Sequence, residues 1–239
     1  AGVAVHIGSQ ITALAPFEAA FLRVRDLVLI LRADGFDIRH LDLGGGLGVP
    51  YDHSSNSQPP GPALYGEMVK RTVGDLGCKF TFEPGRVIVG NAGIMVSRVV
   101  SIKESSTRRF LIVDAGMNDL MRPAMYGARH EIIAVEEAPP GTTFAPMDVV
   151  GPVCETTDCF AKGCPLPDLK AGDLVAFLTA GAYGAAMASS YNARPLVPEV
   201  MVSGDQFAII RRRPTFSEML ALEQLPPWID RPGTPSPHS

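Results

Sequence analysis

Leu41-Asp42-Leu43-Gly44-Gly45-Gly46-Leu47-Gly48 is the stretch whose reading decides the fold. Leu41 to Leu43 read as the end of a buried strand. Gly44, Gly45 and Gly46 then remove every side chain from the turn that follows. With no Cβ in the way, backbone N–H groups are able to converge on an anion. Phosphate is the anion whose oxygens match such a nest. Taken alone, the run fits a tight structural turn equally well. Its neighbours on both sides give it weight.

Upstream, Val3–Ile7 reads as a short strand whose end carries His6, Gly8 and Ser9. Phe17, Ala20, Phe21, Val24, Leu27, Val28 and Leu31 keep the i, i+3, i+4, i+7 rhythm of a helix. Pro16 suits its first turn and Gly35 its stop. Ile38–Leu43 is the next strand. Downstream, Tyr51–Pro62 has the composition of a loop, and Leu64, Met68 and Leu76 lie in a second helix ending near Gly77. Lys79–Phe82 is a third strand, running into Glu83, Pro84, Gly85 and Arg86. Strand, helix, strand, helix, strand at this spacing predicts parallel βαβ units. All three strands carry polar or glycine residues at their C-terminal ends, where the sites of α/β barrels gather.

Val87–Val100 reads as a helix or a bent connection. From Ser101 the rhythm becomes β, with strands over Phe110–Asp114, His130–Val135, Thr143–Val150, Asp173–Leu178 and Val200–Ile210. A mainly antiparallel sheet domain follows from this. Ser217–Glu223 is a last helix. Pro226–Ser239 holds five prolines and is expected to be disordered. The fold class is α/β plus β, organised as 1–97, 98–225 and a tail at 226–239.

Of 239 residues, 46% are hydrophobic, enough for a sizeable core, and the formal charge is −4. No basic block of five or more occurs, which argues against a nucleic-acid footprint. No run of 18 apolar residues or signal peptide is visible, so no membrane partner is expected. Cys154, Cys159 and Cys164 follow one another at intervals of five, which is not a zinc spacing, and no metal is expected. Free thiols in a reducing cytoplasm are the default for such a chain. The first residue is Ala1, and the apolar strand follows within two residues. This start reads as the back part of a longer protein.

Six motifs then run in order: His6-Ile7-Gly8-Ser9-Gln10, Gly44-Gly45-Gly46-Leu47-Gly48, Glu83-Pro84-Gly85-Arg86, Asp114 to Pro123 (DAGMNDLMRP), Gly151-Pro152-Val153-Cys154-Glu155, and Gly181-Ala182-Tyr183-Gly184. Together they resemble the fold-type III pyridoxal-phosphate amino-acid decarboxylases. Met187 to Pro195 (MASSYNARP) is closer to the diaminopimelate branch than to the ornithine or arginine branches. The resemblance implies the last three strands of a (β/α)8 barrel followed by the β domain, with pyridoxal 5'-phosphate as cofactor. It assigns the cofactor phosphate to Ser9, Gly44, Gly45, Gly46, Gly85 and the Tyr183 hydroxyl. It places Glu83 beside the pyridine nitrogen, where a carboxylate keeps that nitrogen protonated. It lays His6 flat against the cofactor ring, and it brings Arg86 into the same pocket.

By the same resemblance, Cys154 and Glu155 enter the active site of the neighbouring subunit of a homodimer. There the Cys154 thiol donates a proton to the carbanion left by CO₂ loss. Thiols ionise near pH ~8.5, so they carry that proton at neutral pH. Arg86, Arg122, Tyr126 and Tyr183 are expected at the substrate, the arginines as a carboxylate clamp and Glu155 on the far ammonium. Arginine binds carboxylates through two parallel hydrogen bonds. Arg122 and Tyr126 are four apart, which brings them together on a helix. Cys159 and Cys164 read as inert thiols, and His40, His53, His130 and His238 fall in no motif.

The implied reaction is decarboxylation of meso-2,6-diaminopimelate to L-lysine and CO₂. One departure stands out. The family's Schiff-base lysine lies upstream of the His-x-Gly-Ser motif, and Lys70, Lys79, Lys103, Lys162 and Lys170 all lack that context. This chain alone is therefore expected to be inactive. Two other readings compete: a relative acting on another basic amino acid or polyamine precursor, and a non-catalytic homologue that works by binding a partner. Retention of Cys154 with Glu83 speaks against the second.

Overall fold

Three short strands, β1 (Gly2–Ala4), β2 (His40–Asp42) and β3 (Lys79–Thr81), pair in parallel in the order β1-β2-β3. Val3, Leu41 and Phe80 stand in one row of the register. The pairing runs on past the strands through Val5 N–H to the Asp42 carbonyl, Leu43 N–H to Thr81 and Glu83 N–H to Gly44. These bonds bring the three strand ends to the same level. The structure, a computed structural model, describes residues 1–53 and 58–229. Residues 54–57 of the expected loop and 230–239 of the expected tail lie outside the described residues.

The crossovers are helical, as the apolar spacing requires. In α1 (Ala15–Ala33), Phe17, Phe21, Val24 and Val28 form the buried stripe, and Pro16 sits in the first turn. In α2 (Pro62–Val73), Met68, Val69 and Val73 are buried against it, and Tyr65 meets Phe17 edge-on at 5.1 Å between ring centroids. Burying a side chain of this size contributes ~1.5–3 kcal/mol, so the two helices cover one face of the parallel strands with a continuous core. Arg32 ties the end of α1 to the Ile38 and Leu76 carbonyls.

After β3 come α3 (Arg86–Val89) and a six-stranded sheet. Its members are β4 (Met95–Glu104), β5 (Arg109–Val113), β6 (Ile132–Ala134), β7 (Ala145–Val150), β8 (Cys159–Leu166) and β9 (Leu174–Phe177). They lie in the order β6-β9-β4-β5-β7-β8. Val99, Leu111, Val113, Met147, Val149, Val175 and Phe177 form its core. Four pairings are antiparallel; β5 and β7 pair in parallel. A parallel neighbour needs a long crossover, and residues 114–144, which include α4 (Arg122–Tyr126) and β6, supply it.

Three expectations are corrected. Met95–Val100 is strand rather than helix or bend, so the junction expected at 97/98 falls inside β4. The alternation there is hidden because one of its two buried positions is Ser97, whose hydroxyl donates to Asp114. β8 was not expected, since it contains Lys162, Gly163 and Pro165. It is one of the two edge strands of the sheet, where proline is tolerated. Val200–Ile210 is a hairpin, not one strand: β10 (Glu199–Ser203) and β11 (Gln206–Arg211) join through Gly204, whose φ is +60°. A two-residue hairpin turn calls for such a φ.

The chain divides into two compact units, Ala1–Met187 and Ala188–Ser239, so the expected β domain of 98–225 is shared between them. The hairpin pairs only with itself among the described strands. The second unit also holds α5 (Phe216–Leu220), opened by a capping box of Thr215 and Glu218. The hydrogen bond from Arg212, with those from Thr215, holds the Glu218 carboxyl down at about 2. No helix among the described residues is long and apolar enough to cross a membrane.

Candidate active site

The glycine run lies where the three strand ends meet, and its first task is close packing. A Cβ on Gly44 would stand 2.5 Å from the Val5 carbonyl oxygen, on Gly45 2.2 Å from that of Glu83, and on Gly46 2.2 Å from that of Gly8. Gly44 N–H donates to Asp42 Oδ1 at 2.8 Å, and Gly45 N–H points to His6 Nδ1 at 3.4 Å. Two of the three amides expected to face an anion are thus engaged by the protein itself. Gln10 reinforces the same corner, its side-chain amide pairing with both Val49 N–H and the Val49 carbonyl. Glu83 is exposed just past β3, and His6 and Ser9 are exposed just past β1.

Arg86 is held between the two halves of this unit. Its Nη1 donates to the Tyr51 hydroxyl and its Nη2 to Ser9 Oγ at 3.1 Å. Its guanidinium carbon lies 4.8 Å from the Tyr183 ring centroid. Its Nε is buried with no acceptor. Arg122 lies 4.3 Å over the Tyr51 ring, and its Nη1 is 2.8 Å from His130 Nε2. Only 6% of Arg122 is exposed. Burial pulls its pKa down from the usual arginine range; the phenols of Tyr51, Tyr126 and Tyr183 oppose that, and Arg86 adds to it. Among the described residues, no carboxylate forms an ion pair with Arg86 or Arg122.

The turn before α4 sets Arg122. Asp114 Oδ1 accepts from Ser97 Oγ at 2.7 Å and Arg98 N–H at 2.8 Å, while Asp119 accepts from Gly116 N–H and Asn118 Nδ2. Pro123 then opens α4. Tyr126 is one turn on and 66% exposed, near enough to act on the Arg122 charge. Tyr183 takes a φ of +57°, a backbone strain of ~1–3 kcal/mol. The segment after Val49 is fastened to the sheet: His53 Nε2 lies 2.9 Å from Thr179 Oγ1, which donates to the Pro50 carbonyl.

Arg86 and Arg122 therefore meet on Tyr51, which the sequence had placed in a loop without a role, with Tyr183 against Arg86 and Tyr126 near Arg122. Arg86 also reaches Ser9. Gly85 begins α3, its carbonyl accepting from Ile88 and Val89. Cys154 and Glu155 are elsewhere, exposed on a turn whose backbone hydrogen bonds are local. Cys159 and Cys164 are half-buried, and burial raises both thiols.

Asp158, also missed in the sequence, holds the Cys154 turn. Its Oδ2 accepts from Val153 N–H at 2.6 Å and its Oδ1 from Met117 N–H at 2.7 Å, so one buried carboxylate ties that turn to the turn before Arg122. Leaving a buried N–H without an acceptor costs ~1–3 kcal/mol, and here Val153 N–H is buried and Met117 N–H partly so. Asp158→Ala is expected to lower stability by ~3 kcal/mol, and Asp158→Asn, which keeps one acceptor oxygen, by about half of that. Urea unfolding of the two variants checks this; a loss below ~1 kcal/mol for alanine would remove the tie.

Two guanidinium groups with no ion-paired carboxylate among the described residues, an orphaned arginine Nε, a serine hydroxyl and three phenols thus make a donor set whose chemistry suits an anionic group. A diaminopimelate decarboxylase of Zymomonas mobilis subsp. mobilis is 51% identical over 228 residues, covering 95% of this chain and 53% of its own length. A solved diaminopimelate decarboxylase of M. jannaschii in co-complex with L-lysine superposes with a TM-score of 0.88 at 35% identity, over 95% of this chain and 52% of that one. A lysine/ornithine decarboxylase of Vibrio vulnificus complexed with putrescine superposes at 0.70 with 27% identity, over 80% and 51%. The chain spans about half the length of the relatives it matches. Residues 22–181 match the family described as "Pyridoxal-dependent decarboxylase, C-terminal sheet domain", and the chain belongs to that family.

Proposed function

We propose that this chain supplies the cofactor-facing and substrate-facing surface of an enzyme that decarboxylates meso-2,6-diaminopimelate to L-lysine and CO₂. The observation that carries this reading is the pair Arg86 and Arg122, converging on Tyr51 beside the strand ends. A seven-carbon substrate with a carboxylate at each end needs a second anion receptor away from the reacting centre. Ornithine does not. On this reading the three parallel strands are the last three of a (β/α)8 barrel.

Bound pyridoxal phosphate would supply an electron sink for the pair left when the carboxylate departs. Ser9, Gly85, the Gly44–Gly46 backbone and Tyr183 would hold its phosphate, with Arg86 beside them. With two glycine amides engaged by the protein, Ser9 and Tyr183 carry more of that task than the motif alone suggests. Glu83 would hold a proton on the ring nitrogen, and His6 would cover one ring face. Arg122, Arg86 and Tyr126 orient the far carboxylate of the substrate. Cys154, reaching the site from a second copy of the chain, delivers a proton to the reacting carbon, and Glu155 beside it binds the far ammonium. The setting is a cytoplasmic homodimer.

The lysine that would bind the cofactor is not supplied here. Lys70, Lys79, Lys103, Lys162 and Lys170 are all exposed, and none follows a C-terminal end of β1, β2 or β3. Purified as it stands and mixed with pyridoxal phosphate, the chain should release no CO₂ from diaminopimelate. Joined to the N-terminal part of the Zymomonas mobilis relative, it should decarboxylate diaminopimelate at least ~100-fold faster than ornithine, in kcat/KM. The reverse preference would favour a decarboxylase of another basic amino acid.

A further inference from the structure

His130 falls in no motif and is 3% exposed. Its Nδ1 lies 2.9 Å from the Leu178 carbonyl oxygen and its Nε2 lies 2.8 Å from Arg122 Nη1. A carbonyl only accepts, so Nδ1 carries the hydrogen. A guanidinium only donates, so Nε2 is bare. The two bonds together admit one form of the ring, the neutral Nδ1–H form. We propose that His130 is a positioning residue: it holds Arg122 by accepting one N–H, and so aims the remainder of the guanidinium at a carboxylate. The carboxylate as target rests on the proposed function; the grip on Arg122 does not.

The surroundings support the neutral ring. Tyr51, from the segment after β2, stands edge-on at 5.1 Å. Arg122 from α4 and Arg86 from α3 are the charges that act on the ring, and both oppose a proton. The neighbouring carboxylate of Glu131 is turned to His53 N–H, and Arg129 is 3.8 Å from Asp52. Burial first, and the two arginines after the opposing Leu178 bond, push the His130 pKa down to about 4. A charged ring would lose its acceptor and face a buried cation. A neutral imidazole between a carbonyl and an arginine is a fixed hinge pin with a defined polarity: Leu178 orients the ring, and the ring orients Arg122. A carboxylate in place of His130 would neutralise Arg122 and compete with any anionic ligand. The histidine fixes the arginine while leaving its charge unspent.

The test uses this chain with ¹⁵N-labelled histidine and arginine, and pimelate as probe. Pimelate has the chain length and two carboxylates of the proposed substrate without its amines. The His130 signals, identified by their loss in His130→Gln, should show an Nδ1–H ring that does not change between pH 8 and 5.5. Pimelate should shift the Arg122 Nε signal in the wild type and in His130→Gln, whose amide oxygen restores an acceptor. In His130→Phe the affinity should fall at least ~10-fold, with the fold retained by circular dichroism. A ring that titrates above pH 6, or a phenylalanine variant that binds pimelate as well as the wild type, overturns the proposal. So does an Arg122 signal that pimelate never moves. Should the ring and the rescue behave as expected while the extended enzyme turns over no diaminopimelate, the proposed function fails and the role of His130 stands.

Discussion

Replacing Arg122 by alanine in the extended enzyme is expected to lower kcat/KM for diaminopimelate by about 30- to several-thousand-fold, while the poor rate with lysine changes little. The range follows from truncating one side of a buried charged pair, which costs ~2–5 kcal/mol. Diaminopimelate places a second carboxylate where lysine and ornithine have none. Arg122 has no ion-pair partner among the described residues, and its guanidinium is already held by His130 and the Tyr51 ring. A ligand carboxylate therefore meets a charge that is desolvated and aimed in advance. Arg122→Lys should recover only a small part of the loss, because an ammonium cannot donate to His130 and receive a bidentate carboxylate in the same geometry. The measurement is a comparison of the two substrates at one pH. Equal losses for both would mean that Arg122 supports the fold or the cofactor, and the clamp would be abandoned.

The second large effect concerns the glycine run. Gly46→Ala is expected to destabilise the chain by ~4 kcal/mol. Gly46 has a φ of +99°, and an added Cβ would stand 2.2 Å from the Gly8 carbonyl oxygen. The backbone strain costs ~1–3 kcal/mol and forced repacking a similar ~1–3 kcal/mol. The clash is with main chain, so no side chain turns aside to relieve it. The Gly46 carbonyl also accepts from Ile11 N–H, which pins the segment after β1. Gly66, exposed in the interior of α2 with nothing within 4 Å, is the internal control. There alanine should stabilise by up to ~1 kcal/mol. Urea unfolding of both variants reads the two effects with opposite signs. A neutral Gly46→Ala would show that the run has room to spare.

What the sequence made legible was what local periodicity controls. Phe17, Phe21, Val24 and Val28 predicted both the existence and the buried face of α1. The three short strands were found at their centres, because each is apolar and ends in glycine or polar residues. The start of β4 escaped because its buried polar position, Ser97, is satisfied by Asp114, 17 residues away in the chain. β8 escaped because an edge strand tolerates the lysine, glycine and proline that argue against a central one. At the site, Arg86, Arg122, Tyr126 and Tyr183 were named from motifs. The shared support of the two arginines, Tyr51, was not, since nothing near Tyr51 in sequence signals two arginines contributed by distant segments. His130 and Asp158 were missed for the same reason: each has a partner more than 40 residues away, Leu178 for His130 and Met117 for Asp158. The glycine run was read as an anion nest or a tight structural turn; two of its amides are engaged within the chain, and a Cβ added at any of its three glycines would meet a main-chain carbonyl oxygen.

The parallel pairing of β5 with β7 bears on the order in which the molecule assembles. An antiparallel neighbour forms by zipping outward from a hairpin, but this pair closes only after residues 114–144 have been laid across the sheet. Contacts of such sequence separation form late and slow the folding of the whole domain. Arg122, Tyr126 and His130 all ride on that excursion. Refolding monitored by the fluorescence of Tyr51 and its neighbours should therefore lag behind the recovery of helical signal from α1 and α2. The proposed anion receptor is then expected among the last features of the chain to form, and a chain caught before that step is expected to carry its helices and its glycine corner without affinity for a dicarboxylate.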